Sequence, residues 1–359
     1  MNFVLAWFRR VFSDAQAVSL IIVIVTLVAI VLLLGRMLAP VLAGIVIAYL
    51  LEGLVAKLER TGLQRWPAVL IVFFGFMGLV GFALTGPLPL LSEQATQLAR
   101  QLPDMLLKAQ KYLLSLPEQY PRVVSEQQIA DAIAMVKREI AGVGQNLLTW
   151  SLASVLSVIT VIVYLILVPV LVFFFLKDKV PIVRWCRQFL PADTRLAGRV
   201  WDDVDRQIGN YVRGKVWEVL VNWVICYLVF AWLGLQYAML LGFMVGLSVI
   251  VPYIGAAVVT VPVALVGLFQ WGWGPDFMWL IGAYAILMVL DGNVLVPWLF
   301  SEVVDLHPVA IIVAVLTFGG LWGFWGVFFA IPLATVVQAV LKIWPKAVVV
   351  AVPGHGGVS

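Results

Sequence analysis

The sequence predicts an all-α fold, a polytopic α-helical membrane protein of about eight membrane elements, each fed by an apolar run long enough to enter a bilayer. Broken or re-entrant helices are expected in its C-terminal half. Three observations lead there. Of 359 residues, 63% are apolar and only 12% are charged, whereas soluble domains carry about 25% charged residues. The uncharged residues form runs of spanning length. Lys and Arg cluster between those runs rather than spreading along the chain. An apolar excess of this size in a long chain must face something other than water, which excludes a disordered chain, a secreted disulfide scaffold and a cytosolic enzyme. Cys186 and Cys226 are too few and too far apart for a framework and read as lone thiols.

Residues 1–91 are read as three membrane helices. Ala17–Gly35 carries no charge, Met37–Leu51 follows the single basic residue Arg36, and Pro67–Leu91 is again uncharged. Arg9-Arg10 before an apolar run imitates a targeting signal. The run is longer than a signal core and lacks a small-residue cleavage site, so a retained first helix is expected. Residues 92–151 form an extracytoplasmic helical segment with six basic and six acidic residues, the unbiased balance of a translocated loop. Within it, Leu91, Ala95, Leu98, Leu102 and Met105 recur at helical steps. A second stripe (Ile129, Ile133, Val136, Ile140, Val143, Leu147) follows Ser125 as a helix cap. That stripe can pack on its own segment or on a second copy of the chain.

Residues 152–176 are a fourth membrane helix. Residues 177–215 are a basic amphipathic stretch, from Lys177 to Lys215, expected on the cytoplasmic lipid surface, where anionic lipid accounts for its charge without nucleic acid. Residues 216–341 form the C-terminal membrane core, and 342–359 a cytoplasmic tail. Arg9, Arg10, Lys57, Arg60, Arg65, the basic stretch, Lys342 and Lys346 place both termini inside. The late runs are interrupted at Pro252, Gly255, Pro262, Asp291-Gly292, Pro297, Gly319-Gly320 and Pro332. Backbone at such breaks must line protein or water rather than lipid.

No Lys or Arg occurs across the 126 residues from Val216 to Leu341, yet Glu218, Asp276, Asp291, Glu302 and Asp305 remain there. An acid at the centre of a spanning helix costs about 2.5–3.5 kcal/mol on insertion scales, and binding a proton or cation lowers that cost. Asp291, in Val289-Leu290-Asp291-Gly292-Asn293-Val294, is the deepest. Gly292 can loosen the helix there, and Asn293 can add a ligand oxygen. Asp291 either carries coupled transport or bonds a neighbouring helix. Glu218 beside Lys215 reads as a solvated interface pair, and Asp276 as the cap of the next helix. Glu302 and Asp305 read as a solvated turn. His307 can relay protons or bond the start of the next helix. Pro252, Tyr253 and Gly255 can shape a pathway through freed carbonyls or form a plain hairpin tip. Gly319, Gly320, Gly323 and Gly326 suit close helix packing. No phosphate-binding loop, metal-ligand cluster or nucleophile elbow is present, so no cofactor is expected.

Val251-Pro252-Tyr253-Ile254-Gly255, Asp291-Gly292-Asn293-Val294-Leu295-Val296-Pro297, Leu306-His307-Pro308, Gly323-Phe324-Trp325-Gly326 and Ile331-Pro332-Leu333-Ala334 follow one another in an order that resembles the autoinducer-2 exporter family, the PerM-like permeases. Phe173-Phe174-Phe175-Leu176-Lys177-Asp178 and Tyr211-Val212-Arg213-Gly214 are similar to its middle. The resemblance implies a multi-pass protein of the bacterial inner membrane, an external helical loop and a homo-oligomer. It also implies export of autoinducer-2 or exchange of sodium or lithium for protons. Asp291 stands where members often carry Glu, and Ala256 where many have Pro. Two functions are carried forward. One is a secondary transporter of a small polar solute, or of a monovalent cation against protons, with Asp291, Asn293 and His307 as coupling residues and Pro252, Tyr253, Gly255 and Pro297 shaping the path. The other is an oligomeric scaffold that docks partners through 92–151.

Overall fold

A computed structural model of the chain describes residues 15–119, 154–188, 195–252, 254–300 and 307–343. These are helices joined by short turns, and no strand occurs among them. In chain order the helices are α1 (Ala15–Arg60), α2 (Arg65–Thr85), α3 (Pro87–Gln119), α4 (Ser154–Lys177), α5 (Lys179–Arg187), α6 (Arg195–Trp232), α7 (Ala238–Ser248), α8 (Ile254–Trp271) and α9 (Pro275–Leu290). A π-helical turn at Asp291–Leu295 leads into α10 (Val296–Phe300). Then come α11 (Pro308–Trp322), α12 (Phe324–Phe328) and α13 (Ala330–Ile343). Among the described residues, five helices are long and apolar enough to cross a membrane, or six if the α4–α5 pair, bent by 82°, counts as one span; α7 and α11 are shorter apolar helices. Phe74, Phe82, Val258, Trp279 and other large apolar side chains on these helices lie exposed, as lipid-facing surfaces do. The protein is an all-α, multi-pass membrane protein.

The two N-terminal runs expected as separate passes lie on one unbroken helix. α1 has 46 residues, about 69 Å at 1.5 Å per residue. Arg36 interrupts the apolar run without interrupting the helix, because no turn-forming pair accompanies it. Pro40 is accommodated inside. The next apolar helix, α2, ends at Thr85, where Gly86 leaves helical geometry (φ −109°, ψ −86°) and donates its N–H to Phe82 O. Pro87 then opens α3, which runs through Pro117 to Gln119. The heptad-like stripe from Ile129 to Leu147 lies outside the described residues. Downstream, nothing stops the helix at Lys215: α6 carries the basic stretch straight into the apolar run to Trp232.

The chain divides into two compact units. One comprises Ile24–Leu190 with Val212–Ser301; the other comprises Met1–Val23, Pro191–Tyr211 and Glu302–Ser359. The first holds two apolar cores. Val55, Ala68, Val69, Val72, Val172 and Leu176 join α1, α2 and α4. At their polar end Arg65 bonds Glu52 through both terminal nitrogens (3.1 and 3.2 Å), reaches Glu59 at 3.4 Å and donates to Leu176 O at 2.7 Å, which satisfies a carbonyl at the end of α4. Cys226, Phe230, Leu241, Val245, Val263, Leu280 and Tyr284 form the other core, from α6, α7, α8 and α9. Cys226 is a buried free thiol there. Gly242 and Gly246 let α7 meet α6 backbone to backbone. A Cβ on Gly246 would stand 2.6 Å from Val219 O, and one on Gly242 2.7 Å from Tyr227 N. The small-residue spacing of four is what allows this approach. In the second unit α11 packs on α12 and α13. Gly326 is there for the reason expected, since a Cβ would overlap Phe318 O.

Candidate functional site: a buried polar network

On α6, Lys215, Glu218 and Asn222 follow at steps of three and four, which puts all three on one helix face. That face is turned inward: the three residues are 4%, 3% and 5% exposed. Lys215 Nζ donates to Glu218 Oε2 at 2.6 Å and to Val249 O at 3.0 Å, and stands 5.1 Å above the Phe300 ring. Gly214 makes room for this, because a Cβ there would stand 2.9 Å from Phe300 Cε1. The pair expected at a solvated interface is therefore buried. Its cation is held by groups from α6, the end of α7 and α10, which lie far apart in sequence.

Asp291 reaches the same face from the end of α9. The helix widens there into a π turn, with Val296 N–H donating to Asp291 O, five residues back. Pro297 has no N–H to offer the preceding turn, and Gly292 tolerates the altered geometry. Such turns are frequent at functional sites. The Asp291 side chain is half-buried, and its Oδ1 accepts from Asn222 Nδ2 at 2.7 Å. The same nitrogen also donates to Glu218 O at 3.1 Å. Among the described residues no cationic group pairs with Asp291. The cluster thus holds two carboxylates and one ammonium, and that ammonium is bonded to Glu218. The cluster carries a surplus negative charge when both acids are ionised. Its second acid is addressed by a neutral amide.

Asn293 sits two residues away but on another side. It is exposed, and its Nδ2 donates to Val289 O at 2.8 Å within its own helix. Pro297 lies on α10, exposed. Pro252 is in the turn between α7 and α8, where Ile254 N–H donates to its carbonyl at 2.7 Å. Gly255 is buried, and a Cβ on it would overlap Ser248 O, so it closes the hairpin. Tyr253, Glu302 and Asp305 lie outside the described residues. The carbonyl freed at the α7 end, Val249 O, is occupied by Lys215. His307 caps α11: its Nδ1 accepts from Val309 N–H at 3.2 Å. Asp276 is in the first turn of α9, behind Pro275. It favours the helix dipole there without capping the helix.

The AI-2E family transporter profile matches residues 20–346. The chain belongs to the AI-2E transporter family. It is 45% identical to the Escherichia coli K12 protein named "Putative permease PerM" over 349 residues, covering 96% of this chain and 98% of that one. The Bacillus subtilis protein named "Putative transport protein YueF" is 27% identical over 308 residues, covering 84% and 82%. A Synechocystis protein named "Putative transport protein sll0063" is 26% identical over 352 residues, covering 93% and 87%. In this AI-2E family chain, sequence reasoning found Asp291 but missed Asn222. The available signal was its spacing: Asn222 falls four residues after Glu218 and seven after Lys215, the only amide on that stripe.

Proposed function

We propose that this protein is a secondary transporter of the bacterial inner membrane. In this reading it exports a small polar solute of the autoinducer-2 kind or exchanges a monovalent cation for protons, and Asp291 is the coupling carboxylate. The observation that carries the reading is the charge imbalance around Asn222: Lys215 and Glu218 neutralise each other, while among the described residues Asp291 is met only by the Asn222 amide. A carboxylate inside a membrane helix without a counter-ion lowers its cost by taking up a proton or a cation, and it can hold one at a time. Asn222 keeps the carboxylate aimed, and Glu218 occupies the Lys215 ammonium that would otherwise neutralise it. In the same reading Asn293, beside the π turn, and His307, at the start of α11, assist the coupling at Asp291. The breaks at Pro252–Gly255 and Pro297 set the path around the cluster. Both termini are assigned to the cytoplasm from the Lys and Arg distribution. Lipid and further copies of the chain are its structural partners.

The test is proton flux in proteoliposomes under an imposed pH gradient, with sodium, lithium or potassium added in turn. Wild type should move protons in response to one of them, and Asp291→Asn should not. Equal flux in both would remove Asp291 from the mechanism. Flux that appears only with an organic solute would assign the exporter branch.

A further inference from the structure

α7 is only 11 residues long, about 16 Å, and is tied at both ends by side chains from elsewhere. At its start, Leu240 N–H has no acceptor within the helix. It donates instead to Gln94 Oε1 of α3 at 2.9 Å, across 146 residues of sequence. The residue preceding α7, Tyr237, offers no side-chain cap and is held at φ 58°. The turn before it is clasped by Gln270, which accepts from Gln236 N–H (2.7 Å) and donates to Gly234 O (2.8 Å). At its other end, Val249 O holds Lys215 Nζ. Between the ends, Gly242 and Gly246 seat α7 on the α6 backbone with no side chain to cushion a shift. α3 is bound along the same surface: Leu98 and Met105 pack on the core that contains Leu241 and Val245. Leu91, Gln94, Leu98, Leu102 and Met105 make up its inward line, with Gln94 in the place that periodicity gave to Ala95.

We propose that α7 is a strut through which the amphipathic helix α3 sets the position of the Lys215 ammonium, with Gln94 as the positioning residue at its far end. This regulation rests on the reading of the Lys215–Asp291 cluster as the coupling centre. Moving α3 moves α7 as one piece. The Val249 carbonyl then leaves Lys215 with one acceptor fewer, and the balance between the two carboxylates changes.

Amide hydrogen exchange on the full-length protein in lipid nanodiscs tests the linkage without any flux. In Gln94→Leu, exchange should accelerate at Ala238–Leu240 and also at Val249–Val251, by about 2- to 12-fold, the range for one neutral hydrogen bond. Gln94→Glu keeps the acceptor and should restore the wild-type pattern at both ends. Read in the other direction, the double substitution Lys215→Met with Glu218→Met should accelerate the Leu240 amide, because coupling between two ends is reciprocal. Acceleration confined to the first turn of α7, or no recovery in Gln94→Glu, would overturn the strut. In proteoliposomes, Gln94→Leu should shift the cation concentration that gives half-maximal proton flux. Absence of flux from wild type as well would count against transport and leave the exchange result standing.

Discussion

Replacing Lys215 by Met distinguishes a buried ion pair from a solvated one. The Lys215 and Glu218 side chains are 5% and 3% exposed and 2.6 Å apart. Exposed pairs are worth about 0–1 kcal/mol. Removing one partner of a buried pair costs about 3–5 kcal/mol, because the remaining charge is stranded, whereas replacing both by apolar residues of similar volume is close to neutral. Lys215→Met strands the Glu218 carboxylate beside Asp291 and leaves Val249 O without its donor, so the high range applies. At about 2–4 °C per kcal/mol for mid-sized domains, the thermal midpoint should fall by about 6–20 °C, and a chain of this length belongs at the low end. Adding Glu218→Met should recover most of the loss. The assay is thermal unfolding of the detergent-purified protein, followed by tryptophan fluorescence, on wild type, both single variants and the double. A drop of a degree or two in Lys215→Met, or a double variant as damaged as the worse single, would refute the buried-pair reasoning.

Three further outcomes follow from the same geometry. Asn222→Leu removes the only hydrogen bond made to the Asp291 side chain among the described residues; a bond to a charged group is worth about 1.5–3 kcal/mol, so apparent cation affinity in the flux assay should fall by ten-fold or more while maximal flux persists. Gly246→Ala puts a methyl 2.6 Å from Val219 O and should lower the thermal midpoint, whereas Gly282→Ala, with open space around it, should leave it unchanged or raise it. Arg65→Lys loses the two-pronged grip on Glu52. Because Arg65 is partly exposed, the destabilisation should be modest, about 1 kcal/mol, and Arg65→Met should add little beyond it.

The helices were legible because their signal is local. Uncharged runs mark spans, and the run ending at Leu176 closes as a helix at Lys177, where charge returns. Length thresholds misled at α1: a run long enough for one pass, then one charge, then another run reads as two passes. A lone Arg36 supplies no turn. Asp291 stood out as a charge in an apolar run. Its surroundings did not, because Val249 and Phe300 come to Lys215 from 34 and 85 residues along the chain, and no local pattern announces a carbonyl freed at a distant helix end. For the same reason Lys215 and Glu218 looked like an interface pair: in sequence they end the basic stretch, while in space Val249 and Phe300 come from other elements to meet Lys215. Gln94 was hidden differently. Periodicity places a residue on a face, but an amide on the buried line of α3 declares itself only once the Leu240 N–H is seen opposite.

The central claim is that one carboxylate, Asp291, exchanges a proton for the transported charge. The most direct measurement is proton release from the purified protein in weakly buffered detergent solution when sodium, lithium or potassium is added. Wild type should release protons on addition of the coupling cation, and Asp291→Asn, which preserves the acceptor for Asn222, should release none. Equal release from both, or cation binding to wild type without any release, would contradict the claim.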